Sequence, residues 1–269
     1  MAERLQGARI LAHPREALSR RSWLRGAWVT DLPLQFAVIL AGGVAYACNY
    51  VLLTHVFSAE GLRHLAIVNA EKVIRLERWL HVFNEADFQR YADTHPLVGH
   101  VLTVTYIWLH LPLIVVVAIW LYSRHRSIFV LTRNAMLIAG LIALAWEYWP
   151  VAPPHLVPSL QVVNSAASRV YDIVEPKGFF DSYGAVPSIH VSWSLQMAVA
   201  IWLAAPRCKL RLVAPALPVL MSLAVVATGN HYWFDVATGI PVAIAGYAPA
   251  ALVRLRGGHS GERPYSPWF

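Results

Sequence analysis

The chain has 269 residues, of which 57% are hydrophobic and 14% charged, and its mean hydropathy is +0.48. That is too apolar for a soluble domain of this length and points to an integral membrane protein. Its net charge of +7 follows the ends of apolar runs, as membrane topology demands, so nucleic acid is not the expected partner. Cys48 and Cys208 build no disulfide framework.

Residues 1–31 hold Arg4, Arg9, Arg15, Arg20, Arg21 and Arg25 with no apolar core, which reads as a basic cytoplasmic segment without a cleavable signal. A bilayer-crossing helix needs roughly 20 mostly apolar residues. Six stretches approach this, about 32–57, 97–122, 128–150, 187–205, 210–229 and 235–253. The expected fold is therefore all-α, a six-transmembrane-helix bundle occupying 32–256. Between the first two spans, residues 60–92 interleave Leu62, Leu65, Val73, Leu76, Leu80 and Phe83 with charged residues. This predicts an amphipathic helix on the outer membrane surface, or a lid over a site. Residues 257–269 read as a flexible tail.

Orientation follows from counting basic residues. With both termini cytoplasmic, the inner segments hold 15 of the 22 Lys and Arg, and the outer segments seven. His155, His190 and His231 then all fall at the outer face.

Two segments carry chemistry. In Gly229-Asn230-His231-Tyr232-Trp233-Phe234-Asp235, Gly-Asn reads as a helix start, which puts His231 in or just before the first turn of the last span. Asp235, four residues on, shares its face. A carboxylate there fixes the imidazole tautomer, frees the other ring nitrogen as a nucleophile and stabilises the cation formed on attack. The plain alternative is a polar pair at a helix end. In Ala185-Val186-Pro187-Ser188-Ile189-His190, Pro187 suits the first helical position. The helix start and the Ser188 hydroxyl would form an anion site, with His190 placed to protonate a leaving oxygen. Alone, such a histidine is more often structural.

Pro187-Ser188-Ile189-His190 and His231-Tyr232-Trp233-Phe234-Asp235 resemble the second and third signature motifs of the type 2 phosphatidic acid phosphatase superfamily. Trp149-Pro150-Val151-Ala152-Pro153-Pro154-His155 is similar to the first-motif region of one branch, that of inositol phosphorylceramide synthase and its bacterial relatives. The resemblance implies phosphoryl transfer without metal or other cofactor, on a lipid phosphate or phospho-headgroup lipid held in the bilayer. His231 would be the nucleophile forming a phosphohistidine, Asp235 its orienter and His190 the general acid and then base. Ser188 would hold phosphate oxygens, with Asn230 beside it. The branch tilts the reading towards headgroup transfer to a polyol such as inositol. Two positions depart from the pattern. His155 stands where the branch has a phosphate-binding Arg, and Val225 where the wider superfamily has another. Lys177, Arg169 or a protonated His155 would then supply the cation.

Glu147, near the outer end of the third span, is a further candidate, with Lys177 or His155 as partner. His110 lies mid-span, where a hydrogen bond between helices is the simpler expectation. A haem protein would need facing histidines at mid-membrane, and only His110 lies that deep. A transporter or scaffold would use the outer histidines as a relay or structural pair, but no inverted repeat is visible.

Overall fold

The computed structural model describes residues 14–163, 183–206 and 209–257, and among these the regular elements are helical. Four helices are long and apolar enough to cross a membrane. The first lies within α1 (Pro14–Val56), whose candidate span is Asp31–Val56. The others are α4 (Pro96–Arg124), α5 (Arg126–Trp146) and α7 (Leu210–Ala227). Between α5 and α7 lies α6 (Ile189–Ala204), apolar but shorter. The chain continues into α8 (Trp233–Gly257). By contact density the chain divides into Met1–Ala45, the N-terminal stretch with most of α1, and Tyr46–Phe269, which holds everything else.

The segment expected to form one helix over 60–92 forms two, α2 (Ala59–Trp79) and α3 (Glu85–Thr94). The break is local. His81 takes a left-handed φ of 59°, which ends the preceding helix, and Asn84 stands at the start of the next. The Ser58 hydroxyl caps α2 by accepting from Gly61 N–H at 3.1 Å. One face of α2 is buried through Ala66, Asn69, Ala70, Val73, Ile74 and Glu77, at helical spacing.

That face packs on a core cluster containing Val151, Ala152, Val157, Ala185, Val186 and Tyr232. Each of the three motif segments contributes to it, so α2 is the element that gathers them. Backbone bonds lock the arrangement. Ala152 N–H donates to Ala66 O, Val151 N–H to Tyr183 O, and Tyr232 Oη–H to Ala152 O, at 3.0, 2.8 and 3.0 Å. The Asn69 amide donates to Pro150 O at 2.9 Å.

Helices α5, α6 and α8 pack through small residues and a few polar side chains. The buried Gln196 amide donates to Ala135 O at 3.1 Å and Ala243 O at 3.0 Å, joining all three. Gly239 and Gly246 permit the approach. A Cβ at Gly239 would lie 2.7 Å from Ser188 O, and one at Gly246 would overlap Ala135 O. The outward faces carry exposed Leu111, Val116, Ile119, Val219 and Ile244, the surface that lipid chains would cover.

Candidate active site

The turn before His231 is built by the end of α7. Gly229 N–H donates to Val226 O and Asn230 N–H to Val225 O, at 3.0 and 3.2 Å. This is the Schellman pattern, with Gly229 at φ +73° in the left-handed position. Gly229-Asn230 therefore stops the preceding helix, whereas the sequence reading took the pair to start the next. Both roles favour the same residue types. Glycine is needed twice over, because a Cβ would lie 2.7 Å from Val163 O and 2.8 Å from Val162 Cγ1. Gly229→Ala is expected to cost at least about 1–2 kcal/mol from the left-handed backbone alone. The steric overlap adds to that, and a lowered thermal midpoint in detergent is the readout.

Asp235 is the third residue of α8. Its Oδ2 accepts the N–H of Tyr232, immediately before the helix, at 2.8 Å. This is the reach-back of a capping box. The same oxygen lies 3.2 Å from His231 Nδ1, and Ala185 O lies 2.8 Å from that nitrogen. Both neighbours are acceptors, so Nδ1 carries the proton and Nε2 keeps its lone pair. Asp235 is wholly buried and His231 nearly so.

Helix α6 begins two residues later than the sequence suggested. Pro187 follows a cis peptide and Ser188, not Pro187, stands at the helix entrance. Ser188 N–H donates to Asp235 O at 3.1 Å, which ties the two helix starts together. The buried Ser188 Oγ and His190 Nδ1 have no protein partner. The His190 ring centroid lies 5.8 Å from that of His231, with the planes at 64°. The first turn of α6 also has the unpaired N–H groups of any helix start.

The two helix starts are finished differently. At α8, Trp233 N–H donates to Glu85 Oε1 at 3.3 Å and Phe234 N–H to Glu77 Oε1 at 2.6 Å. With Asp235 on Tyr232, carboxyl oxygens occupy three successive N–H groups there, leaving α6 as the start suited to an anion. Burial of Glu77 and the adjacent Glu85 carboxyl push the Glu77 carboxyl up to about 9.

Behind His190 stand Tyr106 and His110, with ring centroids at 4.9 and 5.0 Å. Tyr106 lies within a π-helical turn, Thr105–Leu109, and His110 directly follows it, just ahead of Pro112, which has no N–H for the ladder. The buried His110 Nδ1 lies 3.4 Å from Ser194 Oγ on α6, the bond between helices expected of it.

The remaining sequence candidates have other attachments. His155 Nδ1 and its backbone N–H both approach Gly229 O, at 2.9 and 3.1 Å, so His155 braces the turn leading to His231. Asn230 spends its amide within the same turn, on Thr228 Oγ1 at 3.0 Å and Thr228 O at 3.3 Å. Glu147 accepts from Asn49 of α1 at 2.5 Å, a partner the sequence did not indicate. Lys177 and Arg169 lie outside the described residues. Sequence reasoning missed Glu77 and Glu85. Glu77 had a readable signal: it falls three, four and seven residues after Ile74, Val73 and Ala70, on the apolar face of α2.

An all-helical chain with membrane-length spans thus holds two histidines and a buried carboxylate around an open helix start. The family model described as the PAP2 superfamily matches residues 71–249, and the chain belongs to that superfamily. The match includes all three motif segments and the C-terminal part of α2. No match was found among curated proteins or among solved structures. Membership and the four long apolar helices fit an integral membrane phosphatase of lipid phosphates.

Proposed function

We propose that the protein transfers a phosphoryl or phospho-headgroup from a lipid through a phosphohistidine on His231. The observation that carries this reading is the His231 imidazole, whose Nδ1 faces Asp235 and Ala185 O while His190 stands 5.8 Å away, centroid to centroid. In the first step His231 Nε2 forms a bond to phosphorus and the phosphorus–oxygen bond to the leaving group breaks. His190 gives its proton to the departing oxygen. In the second step the oxygen of water or of a polyol attacks phosphorus and passes its proton to His190. The phosphorus–nitrogen bond breaks and His231 is restored. Asp235 stabilises the phospho-imidazolium between the steps. Ser188 Oγ and the α6 N–H groups hold the phosphate oxygens.

The distribution of basic residues supports six spans, counting α6 and α8, with both termini cytoplasmic and the site at the extracytoplasmic face. The likeness of the Ala152-Pro153-Pro154 segment to the inositol phosphorylceramide synthase branch favours transfer to a polyol such as inositol over hydrolysis. Lys177 and His155 are the cations proposed to approach the phosphate, and Glu147 and Asn230 are proposed to border the substrate.

The test is phosphate release and product formation from a panel of lipid phosphates and phospho-headgroup lipids, with purified protein in EDTA, with and without inositol. EDTA-resistant turnover is expected, and an inositol-dependent lipid product selects transfer over hydrolysis. Metal-dependent turnover, or turnover that survives loss of His231, refutes the mechanism. The rate should follow a bell in pH, because His231 must be neutral while His190 is protonated. A flat rate across the histidine range would exclude the pair.

A further inference from the structure

We propose that Glu77 and Glu85 are positioning residues for His231, whose carboxyls seat the first turn of α8 and so set the depth and angle of the imidazole. The proposal rests on the reading of His231 as nucleophile.

Both carboxyls are buried to about 1% exposure, yet among the described residues neither forms an ion pair with a cation or touches the reacting nitrogen. Each instead takes a backbone N–H of α8. Glu77 Oε1 accepts from Phe234 and Glu85 Oε1 from Trp233. Glu85 Oε2 accepts from Asn84 N–H at 3.0 Å, which anchors that carboxyl to the start of α3. Asn84 in turn accepts from the Trp233 indole N–H at 2.7 Å, and Phe88 packs on the same indole at 5.9 Å. Two helices outside the long spans thus grip two of the three residues that lie between His231 and Asp235. Glu77 Oε2 is buried with no hydrogen-bond partner of favourable geometry. An acid in that place is a costly choice if packing alone were needed.

The groups facing Glu77 explain how the acid is tolerated. Glu85 approaches from α3, Asp235 from α8, and the Tyr232 phenol stands nearby; all are acids. A single proton on Glu77 lets it meet Glu85 without two adjacent charges, and the Phe234 N–H still finds an acceptor. The sign of the pH effect follows. The Glu77 carboxyl is held above its ordinary value, so its contribution to stability is complete below about 4.5 and is lost as pH rises towards about 9.

The experiment compares the wild type with Glu77→Gln, Glu77→Ala and Glu85→Ala in detergent. The first readout is the rate at which diethylpyrocarbonate modifies His231, mapped by mass spectrometry, since it needs no turnover. Glu77→Ala and Glu85→Ala are each expected to raise that rate about tenfold, because a displaced first turn exposes a nearly buried ring. Glu77→Gln keeps an acceptor for Phe234 and a donor for Glu85, and should leave the rate within about twofold. An unchanged rate in both alanine variants overturns the proposal whatever the protein's activity. Where wild-type turnover is measured, the alanine variants should lose kcat about a hundredfold with KM held, and Gln should rescue it. Absence of wild-type turnover, with the modification rates as expected, would fault the enzymatic reading and leave the seating intact. The second readout is the thermal midpoint against pH. The wild type should lose stability from about pH 5 to 9 relative to Glu77→Gln. Parallel curves would overturn the shared proton even if neither alanine variant folds.

Discussion

His231→Ala is expected to lower kcat by on the order of 10⁴-fold or more, to the limit of detection, while the protein still folds. The size follows from the role. Without the imidazole no phosphorus–nitrogen bond forms, and the remaining groups offer only binding and electrostatic help. Folding should survive because the ring contributes only Nδ1 contacts to the turn. The turn itself is held by backbone bonds from Gly229 and Asn230 to α7 and by Asp235 on Tyr232 N–H. Loss of Nδ1–H leaves Ala185 O without that donor, a cost of about 1–3 kcal/mol. The check is turnover beside a thermal melt. Trapping labelled phosphate on the wild type under denaturing, alkaline conditions, and not on the variant, would tie the loss to the covalent step. Substantial residual turnover would point to an attacking water.

His190→Ala should cost less than His231→Ala, because a leaving oxygen can take its proton from solvent more readily than a nucleophile can be replaced. General acid catalysis is typically worth 10²–10⁴-fold. The loss should also depend on the leaving group. An aryl phosphate, whose oxygen departs without help, would narrow the difference between His190→Ala and wild type, and a lipid alcohol would widen it.

The candidate site was legible because its chemistry is local in sequence. His231 and Asp235 are one helical turn apart, so their meeting needs only that α8 begin near them, and Ser188 lies two residues before His190 at the mouth of another apolar run. That the two mouths meet could be argued only from depth. The structure supplies the missing contact through Ser188 N–H on Asp235 O, a backbone bond that no side-chain pattern announces. What failed to show were features that depend on neighbours distant in the chain. Glu77 looked like part of a solvated polar face, because the charged residues of 60–92 were counted as one set. Its true surroundings come from residues more than 150 positions later. Gly229-Asn230 was read in the wrong direction, since Gly and Asn serve at both helix ends and only the bonds to Val225 and Val226 distinguish the two. The split of 60–92 turns on His81 in the left-handed region, an unusual place for a residue other than Gly, Asn or Asp.

Asp235→Asn separates the charge of this carboxylate from its shape. In the wild type both donors converge on Oδ2, from Tyr232 N–H at 2.8 Å and His231 Nδ1 at 3.2 Å, while Oδ1 is buried without a partner. The carbonyl oxygen of Asn can take the place of Oδ2 and accept both, with its amide where Oδ1 was. The cap on α8 and the direction of the imidazole are then kept, and the negative charge is lost. Where a carboxylate is the sole orienter, the same change costs about 10⁴-fold because the histidine adopts the wrong tautomer. Here Ala185 O, 2.8 Å from Nδ1, fixes the tautomer independently. The expected loss is therefore smaller, about 10²–10³-fold in kcat with KM little changed, the amount expected for an electrostatic contribution to a developing cation. Asp235→Ala removes the cap as well, and should add about 1 kcal/mol of destabilisation. Equal losses of kcat from the two substitutions would show that placement contributes nothing beyond the charge. A full 10⁴-fold loss in Asp235→Asn would show that Ala185 O does not hold the tautomer, and that Asp235 alone does.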